Sequence, residues 1–244
     1  MKIGVISYLL RHLSTPDAMQ FLRGIGFDAV ELDFRHADGR CDYHTVDAAG
    51  AADVRKLLES YGITPWAYCV GGLGKWEAAN LERVFQFASG LGVEVVVGLL
   101  QPAILPEISA LCDKYKICYA IENHAGDVFE SAETILGALQ GQSPLVGVNV
   151  DTGHFAAAGL DPVAEMRKLE GRIMHVHFKD SDQRRPFGTG SVDLAGVYAE
   201  LKRQGYRRLL SIEHYEYEGI DDETLREGLV HALSYTNKLV SAAA

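Results

Sequence analysis

The sequence is poor in the features that commit a chain to export, membranes or nucleic acid. Its 244 residues hold four cysteines, Cys41, Cys69, Cys112 and Cys118, with no Cys-x-x-Cys pair. Neither a disulfide framework nor a thiolate metal knuckle is expected, and the thiols read as reduced ones in a cytoplasmic protein. No apolar run reaches the roughly 20 residues that a membrane-spanning helix needs. The apolar start is cut by Arg11 and His12 with no small-residue cleavage site after it, so it reads as a first strand rather than an export signal. Positive charge is scarce: 23 Lys+Arg against 33 Asp+Glu leave a net charge of −10, which repels a phosphate backbone and argues against nucleic acid as a partner. With seven prolines, and no linker or low-complexity stretch apart from Ala242–Ala244, nothing marks an internal boundary, so residues 1–244 are expected to form one domain. No Gly-x-Gly-x-x-Gly follows the first strand and no Gly-x-Ser-x-Gly elbow is present, which removes support from a dinucleotide fold and from covalent hydrolase chemistry.

What is present is a 48% hydrophobic chain able to bury a large core, with short β-rich runs alternating with longer amphipathic stretches. The expected strands are Lys2–Ser7, Asp28–Phe34, Ile63–Cys69, Val93–Gly98, Ile117–Glu122, Val146–Asp151, Ile173–Phe178 and Arg208–Glu213. Helical patterns lie between them, among them Ala48–Ser60, Trp76–Leu91, Ile104–Tyr115, Phe129–Leu139, Asp161–Leu169 and Leu194–Gln204. Gly26, Gly62, Gly92 and Gly205 each stand at a helix end just before a strand, and Asp161-Pro162 supplies an N-cap and a first-turn proline. Eight such units of about 30 residues predict an α/β fold, the (β/α)8 TIM barrel, in preference to a doubly wound open sheet.

Four consecutive strands finish on a polar side chain, at Ala120-Ile121-Glu122, Asn149-Val150-Asp151, His175-Val176-His177 and Ser211-Ile212-Glu213. Active sites of barrels lie at this end of the strands. Strand alternation turns Ile121, Val150, Val176 and Ile212 out to the helices and Glu122, Asp151, His177 and Glu213 in toward one another. Three carboxylates so placed cannot all stay ionised without a cation. One divalent metal ion held by these four residues resolves the conflict. The O/N donor set favours Mn²⁺ or Mg²⁺ and admits Zn²⁺, Co²⁺ or Fe²⁺. Alternation also places Glu31 and His175 inward, one layer below the metal and near Asn149, where they would orient the ligands. Trp66 and Tyr68 are candidates for a sugar platform or for core, and Gly71-Gly72-Leu73-Gly74 for a flexible lid.

Val30-Glu31-Leu32, Ile121-Glu122-Asn123-His124, Asp151-Thr152-Gly153-His154, His175-Val176-His177-Phe178-Lys179-Asp180, Gly188-Thr189-Gly190-Ser191-Val192-Asp193 and Ile212-Glu213 together resemble the motifs of the xylose isomerase-like barrel superfamily. That superfamily is the sugar phosphate isomerase/epimerase group related to endonuclease IV. The resemblance implies that Glu122, Asp151, His177 and Glu213 bind one metal ion, with Glu122 and Glu213 also the catalytic acid and base. It makes His154 a substrate contact, with His124, Lys179 and Arg184 as further candidates; a salt bridge is the competing role for Lys179. Two positions depart from the epimerase pattern. Gln183, not arginine, stands six residues after His177, with Arg184 next, and Val128 stands six after Glu122, where some ketose epimerases have an acid.

The expected function is a metal-dependent isomerase or epimerase of a small sugar, sugar acid or sugar phosphate, moving a proton through an enediolate. The alternative is a metal-dependent dehydratase acting on a cyclic polyol ketone or a dehydroshikimate-like acid. An abasic-site endonuclease and a sugar-binding barrel without catalysis rank below both. The partner expected is a small carbohydrate, with neither nucleic acid nor membrane; assembly into a homo-oligomer is compatible with the resemblance.

Overall fold

The computed structural model describes residues 1–72, 78–215 and 219–242. Eight parallel strands close into a barrel: β1 (Lys2–Ile6), β2 (Ala29–Asp33), β3 (Thr64–Gly72), β4 (Val95–Leu99), β5 (Cys118–Glu122), β6 (Val146–Asp151), β7 (Ile173–Phe178) and β8 (Leu209–Ile212). Closure comes from β1, which pairs with β2 on one edge and with β8 on the other, Lys2 facing Leu209. The helices are α1 (Thr15–Ile25), α2 (Ala48–Ser60), α3 (Ala78–Leu91), α4 (Leu105–Tyr115), α5 (Ala132–Ala138), α6 (Thr152–Ala157), α7 (Pro162–Lys168), α8 (Leu194–Arg203) and α9 (Asp222–Ala242). The expected TIM barrel is the fold observed, and its strands fall where the sequence places them, within two residues at most ends.

The deviations have local causes. Ser7 leaves β1 for a single 3-10 turn, and its hydroxyl instead accepts from the backbone of Asp33. Glu213 lies one residue past β8, its backbone still donating to Phe178 O. The expected start of the third helix at Trp76, and Leu73 and Gly74 of the expected lid, lie outside the described residues. Gly26, Gly62, Gly92 and Gly205 all have positive φ, the left-handed turn that lets each helix hand back to a strand.

Alternation sorts the side chains as expected. Ile121, Val150, Val176 and Ile212 are fully buried in the layer between barrel and helices. Inside, Ala67, Val95, Val97, Cys118, Ala120 and Met174 fill the lower barrel. Tyr68 faces outward, stacks on Phe87 at 4.7 Å and donates its hydroxyl to Cys41 O, so it belongs to the core and forms no sugar platform. The four cysteines are buried free thiols. Among the described residues no helix is long and apolar enough to cross a membrane.

Candidate active site

Glu122 closes β5, Asp151 closes β6, His177 lies one residue before the end of β7, and Glu213 follows β8. Each offers a donor atom, and these four atoms lie within 4.8 Å of one another. His177 Nδ1 sits at their centre, 2.8 Å from Glu213 Oε2, 3.1 Å from Glu122 Oε1 and 3.7 Å from Asp151 Oδ2. The opposite ring nitrogen, Nε2, lies 3.0 and 3.1 Å from the two oxygens of Glu31, which also meets His175 Nε2 at 2.8 Å. A proton on Nε2 shared with Glu31 leaves the Nδ1 lone pair facing the rim, the geometry in which imidazole ligates a metal.

Electrostatics inside this cluster are strained in one direction. Burial alone would lower the affinity of His177 for a proton, but the carboxylates of Glu31 and Glu213 outweigh it and hold the imidazole well above its usual value. Burial would likewise raise Glu31, and the charges of His177 and His175 instead hold it far below the usual carboxylate range. Asp151 is raised by burial and lowered further by Lys179 and His177, ending as a carboxylate. Its Oδ1 accepts from His154 N at 2.8 Å, which starts α6, while Oδ2 is buried and accepts no hydrogen bond. A buried anionic oxygen without a hydrogen bond among the described residues, beside an imidazole nitrogen and two further carboxylates, is a donor set that fits a divalent cation.

Glu122, His177 and Glu213 open into a cavity of about 170 Å³ lined also by Ile6, Tyr8, Arg35, Cys69, His124 and His154, with Asp151 buried behind them. His124 and His154 face each other with ring centroids 3.8 Å apart. Burial lowers His154 more than the neighbouring Asp151 raises it, which keeps a neutral ring at the wall. Lys179 is buried, with Nζ 2.7 Å from Glu213 Oε1 and 3.5 Å from Asp151 Oδ2.

A family profile described as xylose isomerase-like TIM barrel matches residues 19–235. The chain belongs to this family. Among curated proteins it is similar to the uncharacterized protein YfiH of Bacillus subtilis, 25% identical over 228 residues that span 74% of this chain and 73% of that one. It is also similar to the inosose dehydratase of Clostridium tetani, 32% identical over 77 residues, 31% of this chain and 26% of that enzyme. Among solved structures an L-ribulose 3-epimerase superposes with a TM-score of 0.79 at 20% identity, covering 100% of this chain and 96% of that one.

Within the xylose isomerase-like frame the expected residues distribute unevenly. His124 and His154 reach the cavity; Arg184 stands on the exposed loop after β7 and is not among the lining residues, and Val128 is likewise exposed. Asn149 pairs in register with His175 and is fully buried, yet its amide has no hydrogen-bond partner among the described residues. The Gly188–Asp193 motif closes around Asp180, whose carboxylate accepts from the backbone N–H of Ser181, Gly188, Gly190 and Val192. A Cβ on Gly190 would collide with that carboxylate, so the second glycine is a packing requirement. Three contributors escaped the sequence reading. Asn123 clips β5 to β6 by exchanging two side-chain hydrogen bonds with the backbone of Asp151, and Tyr8 and Arg35 line the mouth from the other side of the barrel. The alternation that selected Glu31 also turns Asp33 inward, and Asp33 is what holds Arg35.

Proposed function

We propose that this xylose isomerase-like barrel is a divalent-metal-dependent isomerase or epimerase of a small sugar. The observation that carries the reading is the convergence of Glu122, Asp151, His177 and Glu213 on one point at the floor of an open cavity. Three oxygen donors and one nitrogen favour Mn²⁺ or Mg²⁺ over thiophilic ions. A cation bound there supplies positive charge against the oxyanion that develops when a carbon beside a carbonyl loses its proton.

The chain's own residues do the rest. Glu122 and Glu213 reach the centre from strands on either side of β7, one placed to take the proton and the other to return it. Return on the opposite face inverts the stereocentre, and return to the neighbouring carbon interconverts aldose and ketose. Glu31 orients His177, and Asn123 fixes the strand end that carries Asp151. His154 and His124, on the wall of the cavity, bind substrate oxygens. The L-ribulose 3-epimerase likeness supports this class of chemistry through the fold.

The test is solvent exchange. Incubation with Mn²⁺ and a panel of ketoses, aldoses and inososes in D₂O, followed by NMR, should place deuterium at one carbon. Glu122→Gln and Glu213→Gln should each slow that exchange by about 10²- to 10⁴-fold, the usual worth of a general acid or base. Exchange unchanged in Glu122→Gln would remove the catalytic assignment and leave a sugar-binding barrel. The match to an inosose dehydratase favours a second reading, loss of water from a cyclic polyol ketone at the same centre. Dehydration yields a conjugated product that absorbs in the ultraviolet, and isomerisation does not.

A further inference from the structure

We propose that the substrate of this cavity carries neither phosphate nor carboxylate, and that Arg35, fixed by Asp33, selects it by hydrogen bonding to its hydroxyl groups. The inference rests on the reading of the cavity as a sugar site. It begins with the way Arg35 is held. Nε and Nη2 each donate at 3.1 Å to one oxygen of Asp33, and the backbone N–H of Arg35 donates to the same carboxylate at 2.8 Å. Asp33 is wholly buried while the Arg35 side chain keeps 40% of its surface exposed. The guanidinium carbon lies 4.7 Å from the centre of the Tyr8 ring and 4.9 Å from that of Phe34. Gly71, at positive φ, leaves the space in which a Cβ would stand 3.1 Å from Nη2. Two hydrogen bonds and two ring contacts therefore hold this long side chain at the cavity wall.

A surface arginine needs no such cradle; one that presents a donor edge to a ligand does. Among the described residues Nη1 donates to no protein atom, and it is the edge left for a ligand. The pairing with Asp33 decides what kind of ligand. A bidentate carboxylate already neutralises the guanidinium, so what faces the cavity is the donor side of a neutral pair, suited to an alcohol oxygen. The wider charge balance points the same way. Among the described residues at the cavity and in contact with its lining, Glu31, Asp33, Glu122, Asp151 and Glu213 are carboxylates. Arg35 and Lys179 are the side-chain cations ion-paired within this set, while Arg11 lies outside it, exposed, over the ring of Tyr8 at 4.4 Å. A divalent ion added to five carboxylates and two cations leaves one net negative charge. Among the described residues, a phosphate dianion or a second carboxylate entering this space would meet no side-chain cation of the lining that is not already paired with a carboxylate, and burial of an unpaired anion is strongly unfavourable. A polyol brings hydroxyls only, and the ring of His154 at the wall and the Arg35–Asp33 pair offer hydrogen-bonding groups to it.

The test uses the Mn²⁺-loaded full chain and calorimetric titration with a ketohexose, an inosose, the ketohexose 6-phosphate and a keto acid of the same chain length. The uncharged sugars should bind at least tenfold more tightly than both charged counterparts. Arg35→Gln should raise KM for the uncharged substrate by tenfold or more, with kcat within threefold and Mn²⁺ affinity unchanged. If that variant fails to fold, Arg35→Gln/Asp33→Asn removes the pair without stranding a buried charge and should show the same split. Tighter binding of the phosphate ester or the acid overturns the proposal, as does an unaltered KM in the variant. Turnover of a charged sugar would leave the proposed function standing and end this inference alone. Binding of Mn²⁺ with no sugar of either kind bound would end both.

Discussion

Glu31 touches both histidines of β7 and thereby fixes which nitrogen of His177 faces the rim. Replacing it by glutamine keeps the shape and removes the charge. Glu31→Gln should weaken Mn²⁺ binding about 10- to 100-fold, as loss of a partner behind a metal-ligating histidine typically does; a metal titration checks it. His214, next to Glu213, poses a different problem. It is fully buried between Tyr215 and Phe187 with no hydrogen-bond partner on either nitrogen among the described residues, and burial pushes it down to about 4 from an ordinary 6.5. Because the unfolded chain takes up this proton first, His214 lowers stability as pH falls from 6.5 toward 4 and has no such effect above 6.5. At pH 5 the loss is about 2 kcal/mol. His214→Phe should shrink the stability difference between pH 7 and pH 5 by about that amount in denaturant titrations at the two pH values. The alternation of β5 to β8 made Glu122, Asp151, His177 and Glu213 legible from the chain alone. Arg35 was not, because its place at the cavity depends on the buried Asp33, the Tyr8 and Phe34 rings and the missing side chain of Gly71, none of which has a periodic signature.

At the scale of elements, the strands were legible because they are short apolar runs, four of which, β2, β3, β4 and β8, follow a positive-φ glycine that ends a helix. α6 was not, since its six residues carry no full amphipathic repeat and its N-cap is the side chain of Asp151 itself. α3 shows how an element's position is set by what it omits. A Cβ on Gly90 would collide with the carbonyl oxygen of Ala48 at the start of α2, so the two helices approach through a residue with no side chain. Alanine is the better helix former by about 1 kcal/mol, yet here Gly90→Ala should destabilise by about 1–3 kcal/mol, the usual cost of overpacking. A melting temperature equal to or above that of the parent would show that α2 moves aside freely.

The whole molecule enters through the candidate metal centre, whose donors come from four successive strands. A ligand held only by the folded barrel stabilises all of it. Mn²⁺ at 100 times its dissociation constant should raise the unfolding free energy by about 2.7 kcal/mol. Asp151→Asn should abolish the increment, and thermal melts with and without chelator measure both. The closed circle of strands also has a consequence for how the protein is made. Lys2 finds its second neighbour only at Leu209, so one edge of the first strand leaves the ribosome with nothing to pair with. At about 5–20 residues per second, translation keeps that edge waiting for roughly 10–40 s. During that interval the nascent chain exposes an unpaired strand margin open to pairing with other chains.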